Sequence, residues 1–122
     1  MSIHHVAVIV TDLAAAKAFY GDVLGLEELP RPPFDFEGAW YAVGDRQLHL
    51  IVHGPARTLR GTQEIDSRDG HFAVRVDDYD GTLARLRSRG IAVRESRVNP
   101  TPWAQIYVTD PDGNVIELNA ER

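Results

Sequence analysis

His5-Val6-Ala7-Val8-Ile9-Val10-Thr11-Asp12 is read again 66 residues further on as His71-Phe72-Ala73-Val74-Arg75-Val76-Asp77-Asp78. Outward from these stretches, Leu48-His49-Leu50 closes the first half and returns 68 residues on as Ile116-Glu117-Leu118. Two copies at so long a period make a duplicated supersecondary unit rather than a solenoid. At matching places the copies carry His5, His49, His71 and Glu117. Three imidazoles and a carboxylate are donors from which divalent-metal sites are built.

Each half reads as strand, helix, then more strands. Ile3 to Val10 is a β-branched run, and Asp12 stands where a helix N-cap belongs. The spacing of Leu13, Ala16, Tyr20, Val23 and Leu24 predicts a helix over 13–24, stopped by Gly25. Residues 30–36 are a loop rich in proline and aromatics. Ala39 to Val43 and Gln47 to Val52 form a hairpin around Gly44-Asp45-Arg46. In the second half Phe72 to Val76 is a strand, and Asp78 or Asp80 caps a helix that carries Leu83 and Leu86 and ends at Gly90. Ile91 to Val98 reads as a short strand. Ala104 to Thr109 and Asn114 to Asn119 form the last hairpin, turned by Asp110-Pro111-Asp112-Gly113. The plan is one α+β domain of two βαβββ modules, about 1–53 and 70–122, with polar residues 54–69 as linker.

Strand parity turns the repeat into chemistry. Successive side chains alternate between faces, so His5, Ala7 and Ile9 oppose Val6, Val8 and Val10. His71, Ala73 and Arg75 likewise oppose Phe72, Val74 and Val76. His49 opposes Leu48 and Leu50, and Glu117 opposes Ile116 and Leu118. Each candidate ligand therefore lies opposite an apolar face for a helix to cover, on a face that suits a pocket wall. Any one of these histidines alone reads as a hydrogen-bonded strand residue. Four at corresponding places read as a shared site.

Composition bounds the rest. A chain of 122 residues buries a core without staples, and 43% hydrophobic with 25% charged residues is ordinary for a globular protein. A net charge of −5 argues against nucleic acid as partner, since phosphate binding needs clustered Lys and Arg. Without cysteine there is no disulfide, thiolate nucleophile or Cys-ligated zinc. No stretch has the length of a membrane span, and the N-terminus lacks the basic and apolar regions of a signal peptide. A cytoplasmic protein with no membrane partner is the expectation.

Three motifs carry a resemblance that covers essentially the whole chain. They are Ile3-His4-His5-Val6-Ala7-Val8, Ala18-Phe19-Tyr20-Gly21-Asp22-Val23-Leu24-Gly25-Leu26, and Asp110-Pro111-Asp112-Gly113-Asn114-Val115-Ile116-Glu117-Leu118. On these the chain resembles the vicinal oxygen chelate superfamily. That superfamily includes glyoxalase I, fosfomycin-resistance enzymes, methylmalonyl-CoA epimerase, extradiol dioxygenases and bleomycin-resistance proteins. The resemblance implies that the modules curl into a cupped, barrel-like mixed sheet with helices outside and a divalent metal ion (Zn, Ni, Fe, Mn or Co) in the cup. By motif, His5 matches the first ligand, His49 the second, His71 the third and Glu117 the fourth. Glyoxalase I usually has glutamate at the second position and the epimerases have glutamine. The fosfomycin enzymes and dioxygenases bind metal through the other three positions. With His49 bound, the set is three imidazoles and a carboxylate. Without it, the two-histidine, one-carboxylate triad remains, which suits Fe(II) or Mn(II).

The chemistry the resemblance implies is chelation of adjacent substrate oxygens and Lewis-acid stabilisation of an enolate. Glu117 is the only carboxylate of the four, so it is either both ligand and base or is released to act as base, and His49, if unligated, is an acid or base at neutral pH. Arg75 shares the inferred pocket face with His71 and reads equally as a carboxylate-holding group or a surface arginine. Trp40, Tyr41, Trp103 and Tyr107 are pocket candidates with core packing as the alternative. Arg31 reads as part of a solvated loop, with closure over a substrate as the alternative. His4 and His53 fall on the wrong parity or beyond a strand end. The expected function is a metal-dependent glyoxalase-like lyase or isomerase acting on a small 2-oxo or hemithioacetal-type substrate. An extradiol dioxygenase or antibiotic-modifying thiol transferase of the same fold is the second reading, and a metal-free drug-binding protein the third. A homodimer is the default assembly.

Overall fold

The β-branched run of β1 (His5–Val10) ends at Thr11, where extended backbone at Asp12 lets its carboxylate accept from Ala15 N at 3.1 Å. That cap starts α1 (Leu13–Lys17) in the computed structural model, which describes residues 1–122. The expected single α-helix over 13–24 is not what forms. From Ala18 to Val23 the turn widens to π-helical hydrogen bonding, and Leu24 N donates to Phe19 O at 2.9 Å. Phe19 and Tyr20, within that wider turn, are both buried, at 4% and 0% exposure. Gly25, at φ 76°, then stops the helix as its position predicts.

The first unit, residues 1–62 with 110–114, holds a four-stranded sheet in the order β1-β4-β3-β2. β2 (Glu27–Leu29) has no counterpart among the strands read from the sequence, because three residues, two of them acidic, show no alternation. β3 (Gly38–Val43) and β4 (Arg46–Val52) form the expected hairpin, with Gly44 at φ 58° in its turn. β1 pairs with β4 in parallel, Ala7 opposite His49. α1 packs on β3 and β4, and Val10, Ala16, Phe19, Tyr20, Leu48 and Leu50 are buried together.

The second unit, residues 63–109 with 115–122, repeats the order as β5-β8-β7-β6. Its elements are β5 (His71–Arg75), α2 (Tyr79–Ser88), β6 (Arg94–Ser96), β7 (Trp103–Thr109) and β8 (Val115–Glu121). Asp78, not Asp80, caps α2 by accepting from Gly81 N at 3.0 Å. Leu83, Leu86, Ile106, Val108, Ile116 and Leu118 form the core. The ladder stops at four strands in each unit, giving the two mixed-sheet modules with helices that the sequence predicts, without closure into a barrel. No helix is long and apolar enough to cross a membrane.

Asp110 fastens the first unit. At 1% exposure its carboxylate accepts from the Tyr20 hydroxyl at 2.7 Å, from Asn114 Nδ2 at 2.8 Å, and from the backbone N–H groups of Asp112 and Asn114. Every lone pair has a donor, which is what makes a buried carboxylate tolerable. Asp110→Ala removes the acceptor of all four donors and is expected to lower unfolding stability by about 2–4 kcal/mol in a denaturant titration.

Burial raises all four tyrosines above the ordinary 10.0: Tyr20 most, helped by Asp110, Tyr41 to about 12, and Tyr79 and Tyr107 less. A raised folded-state pKa contributes stability that is complete below pH 10 and is lost as pH rises past it. Native protein should therefore show little tyrosinate absorbance at pH 10 and gain it together with loss of helical circular dichroism. Tyrosinate appearing near pH 10 with the fold intact would contradict the burial.

Candidate functional site

Parity and register place His5 of β1, Gln47 and His49 of β4, and Gly38 and Trp40 of β3 on the face away from α1. Three rings cross that face in a stack. His5 and His49 lie 4.0 Å apart between centroids with planes 16° from parallel, and His49 and Trp40 lie 4.2 Å apart at 6°. His49 is 8% exposed, and its Nε2 is 2.8 Å from Gln47 Oε1. With that oxygen accepting, the ring proton sits on Nε2 and Nδ1 keeps its lone pair. Burial lowers His49 below the ordinary 6.5, and nearby His5, His4 and Arg31 push the same way, so the ring is neutral at pH 7.

His4 joins this group although parity set it aside. β1 begins at His5, so the pleat does not bind His4, and its Nδ1 lies 2.9 Å from His5 Nδ1. A cavity of about 350 Å3 opens beside the stack, lined by both of these rings, Trp40, His49 and the loop residues Arg31, Phe34 and Phe36. Arg31 is not merely solvated. Its guanidinium lies 4.9 Å from the centroids of Phe34 and Phe36 and donates to Phe36 O at 2.8 Å. Gly38 makes room for it, since a Cβ there would stand 2.4 Å from Leu50 O and 3.0 Å from Arg31 Nε and Nη2. Tyr41, at 1% exposure on the opposite face, is core.

In the second unit His71, Arg75, Trp103, Gln105, Tyr107, Glu117 and Asn119 share one face. His71 Nε2 is 3.2 Å from Glu117 Oε2. His71 Nδ1 is 2.7 Å from Asp69 O, and a carbonyl only accepts, so Nδ1 carries a proton. In the neutral ring Nε2 is then a lone pair aimed at a carboxylate oxygen. Two acceptors so placed need a positive charge between them, either a proton or a metal ion. Glu117 is 6% exposed. Burial raises its carboxyl, but hydrogen bonds to Oε1 from Asn119 at 2.9 Å and Gln105 at 3.1 Å, with His71 beside it, outweigh that and hold it below the ordinary 4.5. Tyr107 meets His71 edge-on at 5.7 Å, and the Arg75 guanidinium lies 5.4 Å over the Trp103 ring.

The four candidate ligands thus come as two pairs, His5 with His49 and His71 with Glu117. Neither pair is joined by a third His, Asp or Glu at ligand distance. Sequence reasoning passed over Gln47, Gln105 and Asn119, which orient His49 and Glu117. The signal was there: Gln47 and Asn119 stand two residues from a candidate on its own strand, and hence on its face.

The comparisons with known proteins agree with this architecture. The Glyoxalase/Bleomycin resistance protein/Dioxygenase superfamily matches residues 2–118. Glutathione transferase FosA of Serratia marcescens is 30% identical over 97% of this chain and 79% of its own. A glyoxalase family protein from Bacillus anthracis superposes with a TM-score of 0.84 at 28% identity, covering 100% of this chain and 96% of that one. Lactoylglutathione lyase from Agrobacterium tumefaciens superposes with a TM-score of 0.72 at 27% identity, covering 98% and 92%. By its sequence, its two four-stranded mixed sheets and its helices, the chain belongs to the Glyoxalase/Bleomycin resistance protein/Dioxygenase superfamily.

Proposed function

We propose that the chain is a metal-dependent lyase or isomerase of glyoxalase type, acting on a small 2-oxo or hemithioacetal-type substrate. The observation that carries the reading is the His71–Glu117 pair, whose facing acceptors 3.2 Å apart fit adjacent ligands of one cation. Their outer partners fit as well, since a ligating imidazole commonly donates its other N–H to a carbonyl, as His71 does to Asp69. In this reading His71 and Glu117 are ligands of a divalent Zn, Ni, Fe, Mn or Co ion, and His5 and His49 are the candidate ligand pair of the first unit. Bound there, such an ion supplies Lewis acidity to adjacent substrate oxygens.

The chain's own groups do the rest. Glu117, ionised at neutral pH and steadied by Gln105 and Asn119, accepts the proton from carbon next to the carbonyl. His49, if it is not a ligand, is neutral and offers its Nδ1 lone pair as the second acid–base group. Arg75, Trp103 and Tyr107 on the second unit's face, and Trp40 on the first unit's, are the candidates for contact with the substrate's remainder. The likeness to lactoylglutathione lyase supports this class of reaction. Both modules serve one domain, in a homodimeric cytoplasmic enzyme.

Glu117→Gln is expected to cut metal-dependent turnover of a hemithioacetal by about 10²–10⁴-fold. Undiminished turnover would sink the assignment, as would failure of stripped protein to take up Ni, Zn, Mn, Fe or Co in elemental mass spectrometry. Because the folded-state pKa of His49 is depressed, its contribution to stability is complete above pH 6.5 and is lost as pH falls through the folded value. Denaturant unfolding of metal-free protein should show a smaller loss between pH 7 and pH 5 in His49→Phe than in the unaltered chain.

A further inference from the structure

The cavity of the first unit has an unusual wall. In a chain of net charge −5, none of the residues lining it is Asp or Glu. Arg31 and three imidazoles supply all its ionisable groups. The Arg31 guanidinium has five N–H donors, of which the structure engages one, on Phe36 O. No carboxylate lines the cavity with it. An arginine held beside a cavity with donors to spare, and no acid in the cavity wall, is a receptor for a carboxylate or similar group.

The remaining wall is mostly aromatic, with Leu50 and Ile51 beside the rings and Phe34 tilted 52° from Trp40. His5, His49 and Trp40 stand in a nearly parallel row, with spacings of 4.0 and 4.2 Å. Past Trp40 come Phe34, centroid 6.2 Å away, and Phe36, which stacks on Phe34. These two phenylalanines are 46% and 41% exposed, large rings left without cover. A series of parallel rings is best continued by another ring, in offset or edge contact. About 350 Å3 is room for a small organic ligand.

We infer that this cavity takes a planar aromatic anion, the ring against Trp40, Phe34 and Phe36 and the acid group on Arg31. For the enzyme proposed above, on whose reading of His5 and His49 this inference rests, the substrate's organic part is therefore an aromatic ring bearing an acid group.

The test uses the full chain, stripped of metal with a chelator, and three probes: 2-naphthoate, the neutral 2-naphthylmethanol, and cyclohexanecarboxylate. Calorimetric titration is expected to rank 2-naphthoate first, with the other two at least about tenfold weaker, the worth of one charge-assisted hydrogen bond or one aromatic contact. Arg31→Gln should cost 2-naphthoate about tenfold and leave the neutral alcohol unchanged. Equal binding of the aromatic and saturated acids overturns the inference, as does a 2-naphthoate affinity indifferent to Arg31→Gln. Should that variant melt early, the ranking of the three probes on the unaltered chain decides alone. Binding needs no metal here, so a failed metal assay leaves this result standing. Metal-dependent turnover without 2-naphthoate binding overturns the cavity assignment only.

Discussion

In each module the strand that opens the unit runs parallel to the strand that closes it, β1 beside β4 and β5 beside β8. A parallel pair cannot be joined by a tight turn, so the chain must cross over one face of the sheet before it returns. The crossover carries the helix, and the helix claims that face for the core. The opposite face of the same strands is left for chemistry. Register then sets which residues meet: Ala7 opposite His49 brings His5 and His49 into stacking, and Ala73 opposite Glu117 brings His71 to the carboxylate. The small residues Ala7 and Ala73 leave room for the side chains across the ladder, the His49 ring and the Glu117 carboxylate.

The two faces are held by different forces. On the core side, burial of Leu, Ile, Val and aromatic side chains dominates, with Asp110 and Tyr20 as a buried polar anchor whose every lone pair and proton is used. On the other side the polar groups are oriented by one another. Gln47 holds His49, Gln105 and Asn119 hold Glu117, and Asp69 O fixes the proton of His71. Such mutual bracing costs little when donors and acceptors match. It leaves Trp103 Nε1 and Asn119 Oδ1 buried without a partner.

Much of this was legible in the sequence because it follows from alternation and punctuation. Period two assigned His5, His49, His71 and Glu117 to the faces they occupy, and Asp12 and Gly25 bracketed the first helical stretch as caps should. What escaped was whatever tertiary packing decides. β2 is too short and polar to alternate, and exists because β3 offers it an edge. His4 was excluded by extending β1 two residues too far. Arg31, Phe34 and Phe36 lie in a proline-rich loop without periodicity, so only the folded chain shows that they wall a cavity. The chemistry of the pairs is another matter, since facing lone pairs are a fact of distance, which text does not carry.

The π-helical stretch from Ala18 to Val23 has one more consequence. A turn of that kind holds an extra residue inside the helix instead of in a loop. Upstream and downstream of it the chain is out of phase by that one residue. The helix thus works as a phase adjuster: it delivers Tyr20 to Asp110 and still releases the chain at Gly25 in register for β2. Here the count of residues is itself part of the fold, and a deletion that made the helix more regular would make the protein less correct.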